Sequence, residues 1–492
     1  MIRHLLLLAA AVAAGLMAGC AVGPDFKRPA VPETNAYTDK ALPPETVSAP
    51  GIGGTAQSFV PGRDIPAEWW TLFHCAALDL TIRQALERSP TLAAAQAALR
   101  EAEENRRAQL GALFPSLDGN FSANRNQFTG ATFGQPNRSG GVFTLYNASV
   151  SLSYTLDLFG VTRRGLEELK AQVDYQRYLL EGSYLTLASN IVTAAIQEGS
   201  LRSQILATKE ILKAQEEQLA LVEQQFQLGG ASRADVLAQE AQLAQTRATL
   251  PPLEKQLSQT RHQLAVLSGR PPGEAAALPE FELADLTLLQ ELPLSIPSVL
   301  VRQRPDILAA EEQLHAACAL VGVATANMFP QLTINGNYGS QATAIADLFS
   351  GGTGIWSIGA GLVQPLFRGG QLTAKRRAAI AAYDQAEAQY RQTVLTAFQN
   401  VADVLRALEQ DALALKAQAE AERTAADSLE IARNQYELGA ANYLTLLNAE
   451  RQHQQARLTL AQARAARFAD TAALFQALGG GWWNKEKQAE GK

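Results

Sequence analysis

The chain is written twice, and that duplication limits its folds more than any other feature. Arg304-Pro305-Asp306-Ile307-Leu308-Ala309-Ala310 leads to Met328-Phe329-Pro330-Gln331-Leu332, and Ser89-Pro90-Thr91-Leu92-Ala93-Ala94 leads to Leu113-Phe114-Pro115-Ser116-Leu117 across the same Pro-to-Pro interval. Leu366-Phe367-Arg368 answers Leu158-Phe159-Gly160. Gln435-Tyr436-Glu437-Leu438-Gly439-Ala440-Ala441 answers Gln225-Phe226-Gln227-Leu228-Gly229-Gly230-Ala231. A period this long asks for one supersecondary unit laid beside its own copy. Each half reads as helix, two strands, a very long helix, a Gly turn and a helix back. Proline suits the first turn of a helix, where no amide hydrogen is needed. The Phe-Pro pairs close the first helix of each half, because the residue before proline is pushed out of the α region.

The strand text alternates with period two. In Ser149–Leu158, Val150, Leu152, Tyr154, Leu156 and Leu158 share one face, and Ser151, Ser153, Thr155 and Asp157 the other. Leu332–Tyr338 alternates more weakly, and Asp118–Gln127 and Trp356–Leu366 complete two hairpins. Such alternation fits a soluble sandwich or a membrane barrel with a wet lumen. Four strands cannot close a barrel, for which about eight is the practical minimum, so a membrane barrel would be shared by several chains. From Arg163 to Leu228, and again from Gln371 to Leu438, there is no proline. At ~1.5 Å per residue each helix would be roughly 100 Å long, more than one globular core uses. Ile205, Leu212, Leu219 and Phe226 fall at steps of seven, and Val394, Phe398, Val401, Leu405, Leu408, Ala412 and Leu415 alternate steps of four and three. That is coiled-coil spacing. The other helix faces, dense in Ala and Gln, suit a helix flanked on both sides in a closed ring.

Met1-Ile2-Arg3-His4, an apolar run from Leu5 to Met17, and Ala18-Gly19-Cys20 read as a secretory signal over residues 1–19. The small residues before Cys20 resemble a bacterial lipoprotein signal, with Cys20 as the acylated N-terminus. Ala21 rather than Asp after it implies sorting to the outer membrane. Cys75 and Cys318 lie in apolar helical text and are expected as buried free thiols rather than a disulfide. No later stretch reaches ~18 uncharged apolar residues, so any membrane passage would be by strands. A net charge of -6 with acidic and basic residues interspersed gives no nucleic-acid footprint.

Catalysis finds no support. His74, His262, His315 and His453 are far apart in the sequence, and His315 is expected to be structural. No hydrolase elbow, zinc-protease, P-loop or dinucleotide fingerprint appears. Gly351-Gly352-Thr353-Gly354 precedes a strand, so it is a loop tip and not a phosphate cradle. No metal and no cofactor is expected.

Cys20-Ala21-Val22-Gly23-Pro24-Asp25-Phe26-Lys27-Arg28-Pro29, Trp69-Trp70-Thr71-Leu72-Phe73 and Ser151–Gly160 occur in that order. Gln303–Ile307, Val321–Ala324 with Phe329-Pro330, and Gln364–Gly370 follow. Together they resemble the outer-membrane factors of tripartite efflux systems, of TolC/OprM type, in the NodT-like lipoprotein branch. The resemblance covers nearly the whole mature chain. It implies an α+β homotrimer: four strands per chain, twelve in the trimer, form a membrane β-barrel that a periplasmic α-helical barrel continues. On this reading residues 20–75 are the anchor and an equatorial strap. Repeat 1 spans 76–270, with strands about 118–128 and 145–158, a long helix about 163–228 and a return helix about 232–268. Residues 271–297 form an equatorial linker. Repeat 2 spans 298–478, with strands about 331–340 and 355–367, a long helix about 371–438 and a return helix about 442–478. Residues 479–492, with Trp482-Trp483, form a tail expected to be poorly ordered.

The resemblance places the two Gly turns at the periplasmic tip, where the duct closes at rest and meets an adaptor. Gly229, Gly230, Ser232, Gly439 and Asn442 are the expected turn and adaptor-contact residues. The same residues also fit plain hairpin chemistry, glycine ending a helix and Ser232 and Asn442 capping the next. Arg233, Asp235 and Tyr436 are expected at the constriction, in hydrogen bonds or ion pairs repeated around the axis. Ala441, Thr445 and Asn448 stand where some relatives have acidic residues, so a strongly acidic aperture is not expected. The implied partners are two further copies, a periplasmic adaptor, an inner-membrane proton-driven (RND-type) pump and outer-membrane lipids, with no nucleic acid. The cargo would be drugs or metals. The alternatives are a duct for ATP-driven type I protein or peptide secretion, and a coiled-coil lipoprotein with a small β-domain. Only three Met and no His/Met cluster lean against a dedicated copper or silver duct.

Overall fold

The computed structural model describes residues 21–31, 36–129, 134 and 140–485. The signal segment and the candidate lipid site Cys20 lie outside the described residues. The elements in chain order are β1 (Ser58–Pro61), α1 (Ala76–Arg88), α2 (Pro90–Leu110), β2 (Ser116–Phe128), β3 (Gly141–Leu156), α3 (Val161–Gln227) and α4 (Arg233–Leu267). Then come β4 (Glu291–Leu294), the short α5 (Pro297–Leu300), α6 (Pro305–Ala326), β5 (Gln331–Ala342), β6 (Gly354–Val363), α7 (Gln371–Glu437) and α8 (Tyr443–Ala477). The two long helices have 67 residues each and the two return helices 35 each, so the duplication read in the sequence is also metric. The chain divides into two compact units that cut across the repeats, each drawing on both halves.

One unit takes the described residues through Pro29, Ala98–Gln176 and Ala309–Tyr390, and it holds a four-stranded antiparallel sheet in the order β2-β3-β5-β6. The central β3–β5 pairing, with Val150 opposite Tyr338 and Leu152 opposite Gly336, joins the two sequence halves. Period-two geometry separates the faces. Leu117 pairs with Leu152, Gly119 with Val150, Tyr338 with Trp356 and Leu332 with Leu362, all on one side. Asp118 with Ser151, Asn120 with Ser149 and Asn337 with Ser357 lie on the other. On the polar side Asn120 Nδ2 donates to Ser151 Oγ at 2.9 Å. The apolar side is bare: Phe121 is 64% exposed, Trp356 75% and Ile358 77%. β6 ends at Val363, ahead of Pro365, which has no N–H for a ladder.

The other unit takes Ala30–Ala97, Arg177–Leu308 and Arg391–Lys492 and holds the main apolar core. Trp69, Phe73, Ile82, Ile191, Phe281, Leu292, Val401, Leu405, Phe468 and Phe475 are buried together. Trp69 stacks on Phe475 with ring centroids 5.2 Å apart. β1 and β4 pair in parallel, tying the N-terminal strap to the linker between the halves. Contrary to the expected disorder, Trp482-Trp483 is fastened. Trp482 Nε1 donates to the Gln303 carbonyl at 2.7 Å, and Asn484 donates to Asp64 and to the Ile65 carbonyl at 2.8 Å each. Residues 486–492 lie outside the described residues.

The α7 ladder is buried as its spacing predicts, from Val394 through Val401, Leu405, Leu408, Ala412 and Leu415. The α3 ladder is not. Phe226 is 41% exposed, and the buried positions are Ile205, Thr208, Ile211, Gln215, Gln218 and Val222. Glutamines enter that stripe because the interior they meet is polar, as described below. Cys75 and Cys318 are free and buried. By length and composition α3 and α6 each contain a window apolar enough to cross a membrane, but 50% and 61% of those windows is buried within the protein.

Candidate functional site

The two turns are the same object built twice. Gly229 N–H donates to the Phe226 carbonyl at 3.0 Å and Gly230 N–H to that of Gln225 at 2.8 Å. Gly439 N–H donates to Tyr436 at 3.0 Å and Ala440 N–H to Gln435 at 2.8 Å. This paired pattern is a Schellman ending, which needs a left-handed residue. Gly229 and Gly439 supply it at φ 78° and 73°. The side chain of Ser232 then accepts from Asp235 N–H, and that of Asn442 from Thr445 N–H, opening the return helices. Just before each glycine a leucine stands out, Leu228 at 80% and Leu438 at 84% exposure.

The three expected constriction residues do not form a charge cluster within one chain. Asp235 is occupied by its own turn, where its carboxylate accepts from Ser232 N–H at 2.9 Å and from Ser232 Oγ at 2.7 Å. Such a capping box satisfies two donors that a helix start leaves open. Arg233 is exposed at the first helical position. Tyr436 faces inward: its hydroxyl donates to Gln225 Oε1 at 2.9 Å, and its ring meets Tyr443 edge-on at 5.6 Å. Burial pushes the Tyr436 hydroxyl up, and the nearby Asp235 charge adds to this.

Beneath the turns lies a polar interior that the sequence reading missed. Val222, Val236, Ala432, Tyr443, Leu446 and Leu447 form a small apolar cluster. Through it the Tyr443 hydroxyl donates to Gln239 Oε1, and Gln239 Nε2 donates to the Gln215 carbonyl at 3.1 Å. Burial drives the Tyr443 hydroxyl upward, with the Glu450 charge next in effect. Glu450 is buried and its Oε2 meets no hydrogen-bond partner among the described residues. Desolvation raises its carboxyl to about 7, against the pull of Arg433. One turn further on, Arg451 Nε donates to Gln242 Oε1 at 2.5 Å beside an open niche of about 260 Å³ lined by Gln, Thr and Arg side chains. The available signal was glutamine at 215, 218, 239 and 242, positions where a dry seam would carry leucine. Among the described residues no group of His, Cys, Asp or Glu could hold a metal ion. His453 faces Glu422 at 3.4 Å, and His315 lies between two carboxylates.

The profile of outer membrane efflux proteins matches residues 81–270 and 296–480, one segment on each repeat. The chain belongs to the outer membrane efflux protein family. This efflux protein is 30% identical over 487 residues to the toluene efflux pump outer membrane protein TtgC of Pseudomonas putida, covering 98% of this chain and 97% of that one. It is 32% identical over 422 residues to the pyoverdine export outer membrane protein OpmQ of Pseudomonas aeruginosa, covering 84% and 87%. The solved outer-membrane channel OprN superposes with a TM-score of 0.84 at 29% identity, over 94% of this chain and all of that one. The efflux protein therefore has the fold of the outer-membrane channels, a β-domain with a long α-helical barrel, and it is an outer-membrane component of an efflux system that extends into the periplasm.

Proposed function

We propose that the efflux protein is the exit duct of a proton-driven RND-type multidrug or metal pump, working as a homotrimer with a periplasmic adaptor and an inner-membrane pump. The observation that carries the reading is the four-stranded sheet. It is apolar and bare on one face and polar on the other, and its β2 and β6 edges are unpaired among the described residues. Strands of 10 to 16 residues are long enough to cross the hydrocarbon layer at a tilt. Three copies joined β6 to β2 give a closed barrel of twelve strands, which hides every edge and turns the polar face to a wet lumen. Cys20 carries the lipid on this reading.

The two turns then ring the periplasmic aperture. Gly229, Gly230, Ser232, Gly439 and Asn442 hold their shape, and Leu228 and Leu438 offer apolar contact to the adaptor. Arg233, exposed at the tip, reaches a neighbouring copy, while Tyr436 joins the two hairpins within one and the Asp235 cap holds the shape of its own turn. The names of two relatives at nearly equal identity refer to toluene and to pyoverdine. That supports a duct indifferent to cargo, with selection made at the inner membrane.

The test is chemical crosslinking of the purified protein to count chains, together with single-channel conductance in planar bilayers. A trimer with small, long-lived, pH-sensitive conductance supports the reading. A monomer or dimer silent at every voltage refutes it. If Arg233→Ala with Asp235→Ala leaves the conductance of a working channel unchanged, the gate assignment alone is wrong.

A further inference from the structure

The residues that follow Cys20 are seated in a charged groove between α3 and α6, although a tether to a lipid needs no such seat. Val22 N–H donates to the Phe159 carbonyl at 3.1 Å. Gly23, at φ 107°, lies so close to Gly322 that a side chain at 23 would collide with its backbone. The charges are reciprocal. Asp25 of the segment pairs with the buried Arg164 at 2.7 Å, and Arg28 pairs with the buried Glu311 at 2.7 Å. Between them Phe26 stacks on His315, ring centroids 4.3 Å apart and planes 14° from parallel.

His315 has a carboxylate at each end of its ring. Nδ1 lies 3.1 Å from Glu312 and Nε2 3.2 Å from Glu167. Only the imidazolium carries a proton on both nitrogens and can donate to both. The face of Phe26 also favours a cation.

We infer that the groove of α3 and α6 is a receptor for the chain's own segment 21–29, and that a doubly bonded His315 imidazolium holds this clamp shut. The clamp fixes the chain just after position 20 against Gly160, at the junction of β3 with α3. A lipid on Cys20 would thereby be stationed beside the sheet, but the clamp itself does not depend on acylation.

Two carboxylates touch the ring and favour its charge, Glu312 on its own helix and Glu167 on α3. The cations nearby would oppose it, but each is held in ion pairs, Arg164 of α3 with Asp25 and Glu167, and Arg28 of the segment with Glu311. On α7, Tyr383 lies near Cys318, three residues beyond His315, with Glu387 and Asp384 beside it. The hydrogen bond to Glu312 chiefly raises the imidazole above its usual 6.5, burial opposes this, and Glu167 adds to the rise. The clamp is therefore at full strength below about pH 6.5 and loosens as the pH climbs through the higher titration point.

Trypsin reads it directly, because Lys27-Arg28 is a cleavable bond inside the segment. The full-length protein in detergent is digested between pH 6 and pH 9. The rate after Lys27 is divided by that of a free peptide of residues 21–30 in the same buffer. Protection is expected at pH 6 and should fall about tenfold by pH 9, the scale of losing the imidazolium's bond to Glu167 between the groove walls together with its charge under the Phe26 ring. His315→Gln should sit at the low level throughout, without pH dependence. Asp25→Asn and Phe26→Ala are both on the segment and harmless to the groove: Asp25→Asn should weaken protection at pH 6 and keep its slope, whereas Phe26→Ala removes the ring that lies on the imidazole and should both weaken protection and flatten the slope. They test the clamp even if His315→Gln does not fold. Cleavage as fast as in the peptide at every pH would show that the segment is not seated. Protection that is equal at pH 6 and pH 9 would remove the imidazolium from the account.

Discussion

Glu450 should make the tip soften as the pH rises. Its carboxyl is buried beside Leu446, Leu447 and Ala449, one oxygen lacks a hydrogen bond, and burial raises it from 4.5 to about 7. The charged groups about it are Arg433 on α7, Arg451 on its own helix and, by way of Tyr443, Asp235 on α4. An unfolded tip would ionise near 4.5 and the native tip only near 7. Protons are therefore held more tightly in the native state, and stability present below pH 4.5 is lost as the pH rises to about 7. At about 1.36 kcal/mol per pH unit the whole interval amounts to ~3.4 kcal/mol, and the accessible part from about pH 5.5 to 7 to ~2 kcal/mol. Amide hydrogen exchange over residues 443–450, corrected for the intrinsic rate, should thus show protection falling about thirtyfold across that range. Glu450→Gln should flatten the profile and exceed the parent above pH 7.5. If the glutamine variant is less protected than the parent at pH 8, the carboxylate is ionised and paired, with a cation from another copy, and the reasoning from desolvation fails.

Gly229→Ala and Gly439→Ala should each destabilise the tip by about 1 kcal/mol by forcing a side chain into the left-handed region, with the two losses equal and additive in thermal melts. Asp235→Ala should cost about 1 kcal/mol through the lost capping box, whereas Arg233→Ala should change stability by less than about 0.5 kcal/mol. Equal effects of these two on melting would refute the distinction between a capping Asp235 and a free-standing Arg233. Tyr443→Phe leaves Gln239 without its buried donor and should cost about 1–3 kcal/mol. Tyr436→Phe, at a half-exposed site, should cost less, about 0.5–1.5 kcal/mol by the same melts.

Much of this was legible in the sequence because duplication and periodicity are local signals. Both hairpins, both long helices and both turns follow from Pro, Gly and the alternation of Val150, Leu152 and Tyr154. The pairing of β1 with β4 did not, since two four-residue strands, one at Ser58 and the other at Glu291, carry no pattern of their own. The Pro251-Pro252 pair lies inside α4 without ending it. Both residues are exposed, so the carbonyls they leave unpaired face water. Trp482 looked like part of a frayed tail because the carbonyl that holds it belongs to Gln303, across the sequence. Ser232, three residues before Asp235, is within reach of its side chain, and the two make the capping box that opens α4. The α3 ladder failed for a subtler reason. Steps of seven choose a face, but Gln215 and Gln218 lie on the buried one, where the Gln215 backbone carbonyl accepts from Gln239.

The two halves, alike in backbone, differ where they touch. Tyr436 takes the place that Phe226 holds in the first half, and Tyr443 the place of Arg233, so both tip hydroxyls belong to the second hairpin. Each reaches across to the first: Tyr436 to Gln225 on α3, and Tyr443 to Gln239 on α4. The counterparts Phe226 and Arg233 return no such bond, since Phe226 has no side-chain donor and Arg233 is exposed. Glu450 is likewise buried, whereas its counterpart Glu240 is only half-buried. The bonds that set the hairpins against each other are thus concentrated on α7 and α8, beside the group whose charge changes near neutral pH. A motion that parts the hairpins must break both tyrosine bonds together and wet Glu450. The same motion would let its carboxyl ionise, so opening and deprotonation favour one another by linkage.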